Sequence, residues 1–143
     1  MGLLGIADLA ARDVMTLSTG QARRALIARA LVHDPEALVL DEPCTGLDPE
    51  GMFYVRRSMR ALAQAGKSIV LVTHYPEDII PEIARLVLVK DGAVFADGPK
   101  ERLLSDDTMS ALFGVPLRVK RTAVPALAKN AEEDAYFSLV SAY

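Results

Sequence analysis

A single cysteine, Cys44, stands among 143 residues. That excludes an internal disulfide and any multi-cysteine metal site, and it is compatible with a reducing compartment. Basic charge is not in excess either: 16 Lys and Arg face 19 Asp and Glu, for a formal net charge of −3. A nucleic-acid binder usually shows the opposite balance, so no nucleic-acid partner is expected. Apolar runs stop at four or five residues, as in Ile69–Val72, too short to cross a bilayer. Met1–Ala11 has neither a basic start nor a long apolar stretch, so it does not read as a signal peptide. Repeats and low-complexity tracts are missing, and 51% hydrophobic against 24% charged residues excludes a disordered chain. What remains reads as a soluble, intracellular, globular sequence of about one domain.

The punctuation along the chain outlines an α/β order. Gln21–His33 (QARRALIARALVH) is rich in good helix formers, with Ser18 and Thr19 placed to cap it and Asp34-Pro35 to stop it. Its apolar residues cover most of the circumference, which predicts a largely buried helix. Ala37–Leu40 is a short continuous apolar run ending abruptly in Asp41-Glu42-Pro43, as expected of a strand buried on both faces in a parallel sheet. Asp48-Pro49 reads as a cap followed by proline at the first helical position. Met52, Val55, Met59 and Leu62 then recur on one face of a helix that Gly66 is placed to end. Ser68–Thr73 is a second buried-strand run, followed at once by His74. Strand, helix, strand is a parallel βαβ unit.

Beyond it, Leu86–Lys90 and Ala93–Ala96 flank Asp91-Gly92, a two-residue hairpin signal, and Asp97-Gly98-Pro99 reads as a further turn. Short helices are expected near Lys100–Leu104 and Thr108–Phe113. In the tail Leu117 and Val119 alternate with Arg118 and Lys120, and Tyr136–Val140 is a candidate partner strand. The expected division is a main portion, 1–116, and a tail, 117–143.

Ligands of open parallel sheets collect at the carboxyl ends of the strands. Two successive strands here end in polar groups on that edge, Asp41-Glu42 after the first and His74 after the second, which packing alone does not explain. A strand-end histidine by itself often only satisfies backbone groups. Leu17-Ser18-Thr19-Gly20-Gln21 opens the first helix with small and hydroxylated residues, which lets backbone N–H groups and a serine hydroxyl face an anion. Standing alone, that segment would read as a simple cap. Cys44, in a loop with no base nearby in sequence, reads as incidental. His33 is a cation favoured at a helix C-terminus, and Arg118, Lys120 and Arg121 form a solvated face.

Together these residues resemble the ATPase domain of ABC proteins, which powers ATP-binding cassette transporters. LSTGQ at 17–21 is similar to the family's signature motif, ALVLDE at 37–42 to its Walker B strand with the catalytic glutamate, and TGLD at 45–48 to its D-loop. His74 falls at the switch histidine. The resemblance covers Thr16 to about Gly114 and is nearest to small cytoplasmic bacterial ATPase subunits. It implies a partial P-loop NTPase fold with a parallel βαβ core, a C-terminal β-hairpin and short helices. It also implies ATP and Mg²⁺ as cofactors, with catalytic roles for Glu42 and His74. Asp41 would hold the metal. Ser18, Gly20, Gln21 and Asp48 would bind nucleotide, Ser18 and Gly20 touching the γ-phosphate of ATP held by a partner subunit.

One departure is large. G-x-x-x-x-G-K-S/T occurs nowhere in the sequence, so the loop and lysine that cradle phosphates are missing. Gly66-Lys67-Ser68 comes nearest, but Ala61 stands where the first glycine is needed. The upstream adenine-stacking aromatic and glutamine loop are absent as well, and Thr19 stands where the signature usually has glycine. The expectation is therefore the C-terminal half of an ABC-type ATPase, whose whole domain couples MgATP hydrolysis to transport but which alone is not competent. Its expected partners are a second ABC ATPase subunit, as homo- or heterodimer, and membrane permease subunits. Its expected place is cytoplasmic, peripheral on the inner face of the cell membrane when assembled. Two alternatives stay open: a truncated, non-catalytic remnant that folds or dimerises, and the lobe of a DNA-repair or chromosome-structural ATPase. The latter ranks behind because such lobes carry heptad-rich arms and only 16 residues precede the signature here.

Overall fold

The computed structural model of the chain describes residues 6–123 and 135–141. Part of the leader reading at Met1–Ala11, and tail residues 124–134 and 142–143, lie outside the described residues. The fold resolves into two compact units, Met1–His74 and Tyr75–Tyr143. Each is best understood by itself.

The first unit is the βαβ element. Strand β1 (Ala37–Asp41) leads to helix α2 (Pro49–Gln64) and returns as β2 (Ser68–Val72), parallel to β1 with Leu38 opposite Ile69 and Asp41 opposite Val72. Helix α1 (Thr19–Ala30) precedes them and packs on α2. The α2 stripe forms as its spacing predicts: Val55 and Met59 are fully buried and Leu62 and Ser58 nearly so, while Met52 is half-buried. The guanidinium of Arg24 on α1 lies 4.5 Å from the centre of the Tyr54 ring on α2, a cation–π contact tying the two helices.

Three expectations for this unit are corrected. The strands are not buried on both faces: β1 alternates, with Leu38 and Leu40 buried but Val39 71% exposed, and no β2 residue is buried. Among the described residues each strand pairs only with the other, and α2 shields one side of β2, so Val39, Val70 and Val72 form a row facing solvent. Helix α1 is not largely buried either; among its residues only Ile27 is. Nor does it run to His33. It ends at Ala30, where Leu31 and Val32 donate to carbonyls three residues back, tightening the last turn before Asp34 takes a left-handed φ of 49°.

The second unit opens with a 3₁₀ turn (Pro76–Asp78) and an antiparallel hairpin of β3 (Arg85–Lys90) and β4 (Ala93–Pro99). Asp91 and Gly92 both take positive φ, the conformation a two-residue hairpin requires. The Asp97-Gly98-Pro99 turn is corrected to a continuation of β4, in which Asp97 takes a bidentate ion pair from Arg85 across the ladder. Helices α3 (Lys100–Leu103) and α4 (Asp106–Phe113) follow; α4 starts two residues earlier than expected because Ser105 caps it, accepting from Thr108 N–H. Strands β5 (Leu117–Ala123) and β6 (Ala135–Ser141) pair antiparallel, so the tail hairpin forms. Its inner face joins the core of Ile79, Leu104, Met109 and Phe137, to which Leu117, Val119 and Leu139 add; residue 117 thus falls inside this unit.

Two outcomes follow from these packings. Met59→Ala empties a fully buried site and should cost about 2–5 kcal/mol in urea denaturation; a loss well under 1 kcal/mol would mean the α2 stripe is not a core. The exposed valine row should make the chain self-associate as concentration rises in sedimentation velocity. A strictly monomeric profile over a wide range would contradict that.

Candidate functional site

Parallel pairing carries β1 and β2 to the same edge, and there the chain turns. Glu42 takes a positive φ of 43°, unusual for a side-chain-bearing residue, while its N–H continues the ladder to Val72 C=O at 2.8 Å. The left-handed step swings the Glu42 carboxylate out of the strand's alternation. It meets His74 there, whose Nδ1 lies 2.7 Å from Glu42 Oε1. The other oxygen, Oε2, accepts from the Thr45 hydroxyl at 3.0 Å. A carboxylate with one oxygen on an imidazole and the other on a hydroxyl is fixed in orientation from both sides.

The electrostatics follow from those contacts. The Thr45 hydroxyl is the largest cause holding the Glu42 carboxyl below the ordinary carboxylate range, and the His74 hydrogen bond is the next. Partial desolvation opposes them, and the charge of His74 adds a smaller lowering. Both side chains remain about half open to solvent, at 50% for His74 and 41% for Glu42, so a ligand can reach them. Asp41 is exposed at the end of β1 opposite Val72. Among the described residues no group of three or more His, Cys, Asp or Glu is gathered to hold a metal. A single carboxylate suits Mg²⁺ that keeps its waters and shares phosphate oxygens.

The segment 17–21 is built as a reciprocal cap. Ser18 Oγ accepts from Gln21 N–H at 3.3 Å, and Gln21 Oε1 accepts from Ser18 N–H at 3.0 Å. Gly20 sits against the start of α2, where a Cβ would come 3.0 Å from Gly51 Cα. Gly51 N–H is in turn held by Asp48 Oδ1 at 2.7 Å, the N-cap of α2. The first unit thus holds two groupings of the expected residues: Glu42 with His74, and Gly20 beside the Gly51 amide that Asp48 caps. Sequence reasoning missed Thr45 as a partner of Glu42 and Gly51 as the close neighbour of Gly20. Thr45 had a signal, since a hydroxyl three residues after an acid in a turn can reach back to it; Gly51 had none. Cys44, expected as an incidental loop residue, is buried at 4% exposure within this turn.

The ABC transporter family model matches residues 1–45. The chain is similar to an uncharacterized ABC transporter ATP-binding protein, YlmA of Bacillus subtilis, at 43% identity over 81% of this chain and 45% of that protein. It is also similar to the Nod factor export ATP-binding protein I of Ralstonia nicotianae, 35% identical over 92% of this chain and 43% of that one. Among solved structures, a metal-chelate type ABC transporter in an inward-facing conformation overlays with a TM-score of 0.80 at 26% identity, covering 99% of this chain and 54% of the other. A bacterial ABC transporter cassette solved as a dimer overlays at 0.56 with 30% identity, over 68% and 44%. The chain spans about half the length of these relatives or less. Among the described residues no helix is long and apolar enough to cross a membrane.

The depressed titration of Glu42 has a definite sign. The folded chain holds that proton less tightly than the unfolded one, so the contribution is present near neutral pH and lost as pH falls through the lowered value. Thr45→Val should move the Glu42 carboxyl back up toward the ordinary range, read from its ¹³C shift against pH. An unchanged titration would show that the hydroxyl is not the main cause.

Proposed function

The chain belongs to the ABC transporter ATPase family, and on that footing we propose that it supplies one half of an ATP-hydrolysing site in an ABC transporter. The observation that carries this reading is the Glu42–His74 contact at the shared edge of two parallel strands. Glu42 acts as the base that orients and deprotonates the attacking water, a contribution of ~10²–10⁴ in rate. Its hydrogen bonds to Thr45 and His74 fix the carboxylate's orientation for that task. His74 leaves or shares the carboxylate to hydrogen-bond the γ-phosphate. Asp41 would hold Mg²⁺, which would supply positive charge against the phosphates. Ser18, Gly20 and Gln21 at the positive start of α1 face the γ-phosphate of nucleotide bound by a second ABC ATPase subunit, with Asp48 shaping that contact. Phosphoryl transfer rests on positioning and charge, which these groups supply. The assembled protein would dock on permease subunits at the cytoplasmic face of the membrane.

A second reading, a module that folds and pairs without turnover, is favoured by one observation: the sequence holds no G-x-x-x-x-G-K-S/T loop. Without that cradle, Asp41, Glu42 and Asp48 present only negative charge to a polyphosphate. The chain alone should bind MgATP no better than ~1 mM, about −4 kcal/mol, in titration calorimetry, with no hydrolysis above background. Micromolar affinity would overturn this division of labour. Supplied with a complementing half that carries the phosphate loop, the chain should turn ATP over. Glu42→Gln should then abolish hydrolysis and leave binding intact, whereas equal loss of both would make Glu42 structural. No turnover in the complemented wild type would leave the second reading standing.

A further inference from the structure

Within the first unit, helices α1 and α2 touch most closely at their starts. Gly20, in the first turn of α1, lies against Gly51, in the first turn of α2. One turn further along both helices, the Arg24 guanidinium lies over the Tyr54 ring. Beyond that they part around a cavity, to which α1 contributes Ala28 and α2 contributes Leu62. At the glycines, backbone meets backbone: a Cβ on Gly20 would come 3.0 Å from Gly51 Cα, and one on Gly51 would come 3.5 Å from Gly20 Cα. No side chain lies between them to take up slack. Gly51 is itself pinned. Its N–H donates to Asp48 Oδ1 at 2.7 Å, the Asp48 carbonyl accepts from Met52 N–H at 2.9 Å, and Pro49 brings a fixed φ to the first helical position.

On the other side of the contact, Ser18 and Gln21 occupy each other's N–H groups in the reciprocal cap. The N–H groups of Thr19 and Gly20 have no acceptor inside the helix, being in its first turn. They are donors that an anion at the start of α1 would meet, and their place depends on what Gly20 rests against. We propose that Asp48 and Gly51 are positioning residues for the start of α1. The Asp48 carboxylate caps α2, the cap fixes the Gly51 backbone, and Gly51 is the stop against which Gly20 sits. Asp48 thus shapes the LSTGQ segment from inside its own chain, through one hydrogen bond and one backbone contact. The functional weight of this rests on the role proposed for Gly20, but the placement itself is a property of the ligand-free chain.

The test uses the full chain without nucleotide and reads its backbone amide ¹H–¹⁵N signals. Asp48→Ala removes the acceptor of Gly51 N–H, whereas Asp48→Asn keeps a carbonyl oxygen there. Asp48→Gly also removes the acceptor but costs a helix start much less than alanine does. Hydrogen exchange at the Gly51 amide reports in each sample whether the cap is lost. The Gly20 and Gln21 signals report the start of α1, and Ile27, buried further along the same helix, serves as internal reference. The expected result is that Asp48→Ala and Asp48→Gly speed exchange at Gly51 about fivefold, the change that losing a typical cap brings. Both should displace the Gly20 and Gln21 signals by more than their linewidth and leave Ile27 in place, and Asp48→Asn should restore the wild-type pattern. Fast exchange at Gly51 with unmoved Gly20 and Gln21 would overturn the proposal, and so would unchanged exchange at Gly51. If Asp48→Ala disrupts the first unit, Asp48→Gly and the Asn rescue decide the matter; displacement of Ile27 in Asp48→Gly as well would make the cap a general support of the unit and overturn the positioning role. Because no ATP is present, failure of hydrolysis in the complemented protein would sink the catalytic reading without touching this one.

Discussion

The first unit depends on one pairing, the parallel register that sets Asp41 opposite Val72 and extends one bond further to Glu42. A slip of one residue in that ladder would send every side chain of β1 to the other face and carry Glu42 away from His74. The register is held by the buried leucines Leu38 and Leu40 and by α2, whose apolar stripe lies under β2. The positive φ at Glu42 then converts a regular strand end into a side chain aimed across the edge. Strain of this kind persists only where surroundings enforce it, and here a ladder bond, a hydroxyl and an imidazole all do.

The same arrangement explains how a carboxylate can be both oriented and ionised with little burial. Water around the site keeps desolvation small, and two donors lower the carboxyl's proton affinity. The carboxylate is held by hydrogen bonds rather than by a dry pocket. In the proposed chemistry, closing that half-open site is left to the partner subunit.

Much of this was legible in the residues. Asp41-Glu42 and His74 stand out because each ends an apolar run, and strand ends on one edge are where a parallel unit gathers its polar groups. Asp48-Pro49 located the start of α2, since the apolar stripe of Met52, Val55, Met59 and Leu62 begins just after it. What stayed hidden depends on partners rather than on local pattern. Continuous apolar runs report that a strand could be covered on both faces, but not that β1 and β2 have a single covering layer among the described residues. The end of α1 escaped because Leu31 and Val32 are as apolar as the residues before them, and only the switch to shorter-range bonds marks the stop. The left-handed φ of Glu42 is announced by no residue type.

The close approach of Gly20 and Gly51 has a consequence for how the two helices can vary. A methyl on Gly51 would fall 2.9 Å from the Asp48 oxygen that holds that residue's own amide, and one on Gly20 would press on the backbone of Gly51. Neither position can therefore be altered as though the other were absent. Enlarging one spends the clearance both share, so paired changes there should combine non-additively. The start of α1 and the turn that opens α2 are thus fitted to one another at these two glycines.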